Sequence, residues 1–425
     1  MEMQFNSLSE RYKRPFGCVR RHEVCQLMVE VPKDCPLNRL EVVLSSDSGY
    51  GMAVSFTKEG ESEYYWEYRT EFSLPRQGLY FFHFNVELTT GSFRLFRSGE
   101  TGLRANEGEQ WQITCYPEDF QPPEDFQGAV LYQIFPDRFY REGSCDLTGK
   151  LEPYWVHDNW DDTPHYLPDE QGEILNNDFF GGNLKGIEAK LPYLKSLGVD
   201  GIYLNPVCMA FSNHRYDTAD YKRVDPMLGT EADLANLCQV AHRLGIKVIL
   251  DGVFSHTGSN SVYFDAKHLC GHGAVSDPDS PYRSWYDFQR YPEQYTSWWG
   301  IATLPCVNEL NDDYLDFIIR GEESVLAHWL SLGIDGVRLD VADELPDEFI
   351  AAFRKRLKPD AWLLGEVWED ASNKVSYGVR RKYFSAGELD SVMNYPFRNA
   401  ILSFLAGHGG DQFRRQIMTI VEHYP

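Results

Sequence analysis

Gly336-Val337-Arg338-Leu339-Asp340 and Ala361-Trp362-Leu363-Leu364-Gly365-Glu366 are two apolar runs that each stop on a carboxylate, the acids lying 26 positions apart. That interval accommodates one strand, one helix and the next strand. If the two strands are neighbours in a parallel barrel, both acids emerge at the same rim, where such folds carry their chemistry. Gly201-Ile202-Tyr203-Leu204-Asn205 and Lys247-Val248-Ile249-Leu250-Asp251 have the same form. Between them, residues 185–197 put Ile187, Leu191, Leu194 and Leu197 on one helical face, and residues 232–244 do so with Leu234, Leu237, Val240, Ala241 and Leu244. Continuous apolar strands alternating with amphipathic helices predict a parallel sheet covered by helices. Polar residues repeated at strand ends favour a β/α barrel over its structural alternative, a doubly wound open sheet.

Working outward, residues 1–122 read differently. Runs such as Leu40-Glu41-Val42-Val43-Leu44 and Leu79-Tyr80-Phe81-Phe82-His83-Phe84 are short, aromatic or β-branched, and separated by turn formers, which predicts an all-β sandwich. Pro117, Pro122 and Pro123 mark a linker, since proline lacks the donor that helices and ladders use. A second domain, residues 123–425, is expected to follow. The interval from Asp251 to Asp340 far exceeds the two-to-six-residue loops of α/β units, so residues 257–310, rich in Gly, Ser, Tyr and Trp, are expected to be a subdomain inserted after the third strand.

Acidic residues outnumber basic ones by 64 to 40, for a net charge of −24. This disfavours nucleic-acid and anionic-membrane partners and suits a neutral ligand. The 14% aromatic content suits carbohydrate recognition and β-sandwich cores alike. Nine cysteines show neither a CxxC pair nor zinc-like spacing, so buried thiols are expected and no metal-ligating set is assigned. The N-terminus lacks an apolar signal core and no stretch reaches spanning length, which predicts a cytoplasmic protein.

Several motifs carry a family resemblance. Asp251-Gly252-Val253-Phe254-Ser255-His256, Gly336 through Glu344, and Gly365-Glu366-Val367-Trp368 resemble, in order and spacing, the first three conserved regions of the α-amylase family, glycoside hydrolase family 13. Tyr132 through Phe139, Phe179-Phe180-Gly181-Gly182-Asn183-Leu184, His214 through Tyr221 and Leu304 through Asn308 resemble its neopullulanase, cyclomaltodextrinase and maltogenic amylase branch. The resemblance implies a (β/α)8 barrel and a retaining glycosidase acting on α-1,4 links of cyclodextrins, pullulan or maltooligosaccharides. In such an enzyme one carboxylate attacks the anomeric carbon while a protonated carboxyl gives its proton to the leaving oxygen. The resemblance makes Asp340 the nucleophile and Glu366 the acid/base. Arg338, on the same strand face, is expected to keep Asp340 ionised. Glu366 needs an apolar setting, part of which Trp368 is expected to supply. His214, Tyr216, Asp251 and His256 correspond to groups lining the adjacent sugar subsite. Trp298 and Trp299 read equally as sugar platforms or as the inserted subdomain's own core.

Departures from the family matter too. Ser255 replaces a frequent asparagine, Asn183 stands where the branch has aspartate, and Arg141 through Asp146 replaces an Asn- and Asp-rich loop, so calcium is disfavoured and no cofactor is required. Only six strand-like runs are found, the last being Leu389-Asp390-Ser391-Val392-Met393-Asn394, and the Asn-His-Asp triplet with the third carboxylate does not occur. The sequence reading is therefore a β-sandwich followed by a barrel present only through about its sixth strand, a fragment of a longer enzyme. Its rivals are a catalytically impaired glucan-binding protein and an isomerase or transglucosidylase on the same scaffold. A homodimer through the N-terminal domain is implied by the resemblance alone.

Overall fold

The protein is described by a computed structural model covering residues 2–99 and 101–425, the Leu103 side chain excepted. It divides into two units, Met1–Gln121 with Val367–Leu389 and Met393–Pro425, and Pro122–Glu366 with Asp390–Val392.

In the first unit, β1 (Val24–Pro32) pairs antiparallel with β3 (Tyr65–Ser73), while β4 (Gly78–Leu88) lies between β2 (Leu37–Ser46) and β5 (Trp111–Tyr116), antiparallel to both. Alternate residues of both sheets, among them Val29, Val31, Leu40, Val42, Phe82, Phe84 and Trp111, form one core. Phe5 meets the Trp111 ring edge-on at 5.1 Å, and Phe82 stacks on it at 5.5 Å. Such burial of aromatic side chains is the main force holding a small sheet unit together.

The second unit is built on a six-stranded parallel sheet whose spatial order follows the chain: β6 (Leu131–Ile134), β7 (Gly201–Leu204), β8 (Lys247–Gly252), β9 (Gly336–Leu339), β10 (Trp362–Gly365) and β11 (Ser391–Val392). All four residues of β7, β9 and β10 are buried, as strands covered on both faces require. Gly336 is needed because a Cβ there would lie 2.2 Å from the Trp362 carbonyl oxygen on the neighbouring strand. The last strand is shorter than expected. It is held by Asp390, whose Oδ2 accepts from the Leu363 amide at 2.8 Å and from Arg354 at 2.6 Å.

Helix α1 (Leu184–Ser196) starts on Asn183, whose side chain accepts from the Gly186 amide, and α2 (Glu231–Arg243) starts on a reciprocal Thr230–Asp233 capping box. Both bury the expected faces, with three corrections. Leu197 is 52% exposed because it caps α1, Leu244 caps α2 and is half-buried, and Val240 is half-buried while Cys238 is buried. Helices α3 (Val325–Ser331) and α4 (Asp347–Arg356) flank β9 in sequence. The 257–310 insertion lies within this unit. It forms a hairpin of Phe288–Arg290 with Gln294–Tyr295 around the Phe264 ring.

The expected single second domain over 123–425 differs from this division, because 367–389 and 393–425 group with the N-terminal sheets. Inside the first unit the reason is visible on β5. Gln112 and Thr114 alternate with the core residues, and both are buried as well. Gln112 donates to Ser372 at 2.8 Å and accepts from Asn373 at 2.9 Å, and Thr114 donates to the His423 carbonyl at 2.9 Å. Two helices, α5 (Tyr395–Leu405) and α6 (Gly410–His423), end this segment, and Glu422 of α6 forms a fully buried ion pair with Lys13 at 3.5 Å.

Candidate active site

Strand register brings the polar ends of four strands together. Asp251 of β8 is the partner of Arg338 on β9, and the Asp340 and Glu366 amides donate to the Gly252 and Leu339 carbonyls at 3.0 Å each. One guanidinium then bridges three carboxylates. Arg338 Nη1 lies 2.7 Å from both Asp251 Oδ1 and Asp340 Oδ1, and Nη2 lies 3.0 Å from Glu366 Oε2. All four side chains are buried. A planar, permanently charged fork suits this better than a lysine would.

The charge balance departs from the sequence expectation. Burial first, then the charges of Asp251 and Glu366, push Asp340 well above the usual carboxylate range despite Arg338. Burial also raises Asp251, against the pull of Arg338 and of hydroxyl donors from Tyr203 at 2.5 Å and Tyr216 at 2.8 Å. One guanidinium shared among buried acids thus leaves both Asp251 and Asp340 shifted upward.

Directly after Asp340 the backbone is strained. Val341 has φ +39°, a region that β-branched residues avoid, and its amide donates to Glu366 Oε2 at 3.0 Å. The strain therefore aims a donor at the second acid.

Tyr216 is held from three sides. Asn205 donates to its hydroxyl at 3.2 Å, its amide donates to His214 Nδ1 at 3.0 Å, and its carbonyl faces His256 Nε2 at 3.1 Å. These contacts fix both histidine tautomers with the proton on Nε2. Burial pushes the His214 imidazole down, and the His256 imidazole down to about 4. His256, 2% exposed and with Nδ1 against Ser255 Oγ at 3.0 Å, holds the Tyr216 carbonyl through Nε2. Trp368 belongs to the segment grouped with the first unit and has an exposed ring.

The tryptophan pair is resolved as well. Trp298 and Trp299 stack at 5.3 Å and donate their indole N–H groups to the two oxygens of Glu344 at 2.8 and 2.9 Å. Trp299 is 65% exposed, so this ring is no core residue of the insertion, and Trp298 lies 5.7 Å from the His256 ring. Sequence reasoning assigned no role to Tyr203, Asn205 or Glu344. Tyr203 and Asn205 share one face of β7, so strand alternation was the available signal, whereas nothing local marked Glu344.

The family described as the α-amylase catalytic domain matches residues 133–424. The chain belongs to the α-amylase family. Among relatives of this α-amylase family member, an amylopullulanase of Thermoanaerobacter thermohydrosulfuricus is 33% identical over 97% of the chain and 31% of its own length. Neopullulanase 2 of Thermoactinomyces vulgaris is 34% identical over 72% of the chain and 49% of its own length. A solved cyclomaltodextrinase superposes with a TM-score of 0.61 at 25% identity, covering 99% of this chain and 68% of that one. The chain thus spans about a third to a half of the length of these two sequence relatives.

Proposed function

We propose that the site is that of a retaining α-glucan hydrolase in which Asp340 attacks the anomeric carbon and Glu366 serves as acid and then base. The bridging of Asp340, Glu366 and Asp251 by Arg338 carries this reading. Asp340 forms the covalent glycosyl intermediate as Glu366 protonates the departing oxygen, and Glu366 then takes a proton from the water that releases the sugar. Catalysis requires a proton on Glu366 and an ionised Asp340 when sugar binds. Tyr216 supplies a ring for the sugar face and His214 an Nε2–H donor for a hydroxyl.

The names of the relatives support cyclodextrins, pullulan or maltooligosaccharides as substrates. The six parallel strands are read as part of a (β/α)8 wall, the arrangement that places chemistry at strand C-termini. Calcium does not fit the departures noted above. Asn183 spends its oxygen on backbone amides of Gly186 and Glu142, and Ser255 bonds His256, so no step is routed through a cation.

Chromatography of products from β-cyclodextrin, pullulan and starch tests the reading. Asp340→Asn and Glu366→Gln should each lower turnover by about 10²-fold or more, and near-wild-type turnover in either would exclude the assigned roles. A wild-type protein that is retarded on immobilised glucan but releases no product supports the binding-protein reading instead.

A further inference from the structure

We propose that His157, His165 and Asp178 form a binding site for one divalent transition-metal ion of the zinc class. Their ligand atoms all lie within 4.8 Å of one another. His157 Nε2 and Asp178 Oδ2 are 3.0 Å apart, close to the roughly 3.3 Å that separates donors around a tetrahedral ion with bonds of about 2.0–2.1 Å. His157 and Asp178 are buried and fixed, while His165 is exposed and its ring can swing the remaining distance.

His157 is flanked by a carboxylate at each ring nitrogen. Its Nε2 faces Asp178, and its Nδ1 faces Asp162 Oδ2 at 3.3 Å. A neutral imidazole has one N–H, so one of these contacts opposes a lone pair to a carboxylate oxygen. The His165 ring stands beside this pair, 5.2 Å edge-on from the His157 ring and 5.8 Å from Trp155, so two imidazoles and Asp178 converge. A metal between Nε2 and Asp178 satisfies all three groups, with Asp162 as the outer carboxylate that holds the proton on Nδ1.

Asp178 is already oriented for this. Its Oδ2 accepts from the His165 amide at 2.9 Å, and its Oδ1 accepts from Asn213 at 2.9 Å and from Arg138 at 3.2 Å. Arg138 weakens the site for any cation, but it also pairs with Asp137 at 2.9 Å. Two imidazoles and one carboxylate suit zinc, cobalt or nickel and are too few oxygens for calcium. A fourth position falls to water. Through Asn213, whose neighbour is His214, the ion would brace the chain segment that carries His214 and Tyr216.

The full 425-residue chain, stripped with chelator, is titrated with Co²⁺ and followed by visible absorption. One equivalent should bind with tetrahedral bands and no thiolate charge-transfer band. His165→Ala, at an exposed position, and Asp162→Asn, outside the ligand set, should each weaken binding at least about tenfold. The proposal is overturned by the absence of saturable one-to-one binding, by thiolate bands, or by a His165→Ala curve matching wild type.

Discussion

His256 shows how one buried side chain ties stability to pH. Its folded value of about 4 lies below the usual 6.5, so the unfolded chain binds the extra proton first as pH falls. The contribution of neutral His256 is fully present above pH 6.5 and is lost as pH drops to about 4, amounting to roughly 3 kcal/mol at about 1.4 kcal/mol per pKa unit. Urea unfolding of wild type and His256→Gln across pH 4 to 7 checks this. The stability difference between the two should shrink by roughly that amount toward the acid end, and a difference independent of pH would assign the shift to other groups. Asp340 makes a related point. A reading of Arg338 alone anticipates an ionised carboxylate, but burial first, and then the charges of Asp251 and Glu366, reverse the direction.

Among the elements, β9 and β10 carry the acids and tolerate little change. Gly336 packs against the Trp362 backbone, so Gly336→Ala forces a Cβ to within 2.2 Å of a carbonyl oxygen that belongs to the ladder itself. Strand separation, rather than a rotamer change, is the only relief. The variant should lose more than about 3 kcal/mol in chemical denaturation, above the usual cost of one inserted methyl. A loss under about 1 kcal/mol would mean that the strands can spread locally. The Leu234, Leu237 and Ala241 stripe of α2 was legible in the sequence, because helical periodicity is local. The rotation of the α2 face toward Cys238 was not, since neighbouring packing decides it.

At the scale of the whole chain, Asp390–Val392 stay with the second unit, while residues 367–389 and 393–425 join the N-terminal one. Lys13 and Glu422, 0% and 2% exposed, are the charged pair buried within that unit. Removing one partner leaves an uncompensated buried charge, so Lys13→Met should cost about 3–5 kcal/mol, while Lys13→Met with Glu422→Leu should recover most of the loss. Calorimetry of the single and double variants measures the difference. A double variant as unstable as the single one would show that Glu422 acts through its other partners, Ser7 and His423.

The sequence by itself determined the alternation of apolar strands and amphipathic helices, the acids at the strand ends and the family, because period, strand termini and motif spacing are properties of short stretches. Only the tertiary structure decided that Asp251, Asp340 and Glu366 share one guanidinium, that Gln112 and Thr114 are covered, and that His157, His165 and Asp178 converge. Those outcomes depend on register between strands and on contacts between residues far apart in the chain, where hydrogen bonding and charge are settled by what packs alongside and not by what lies next in sequence.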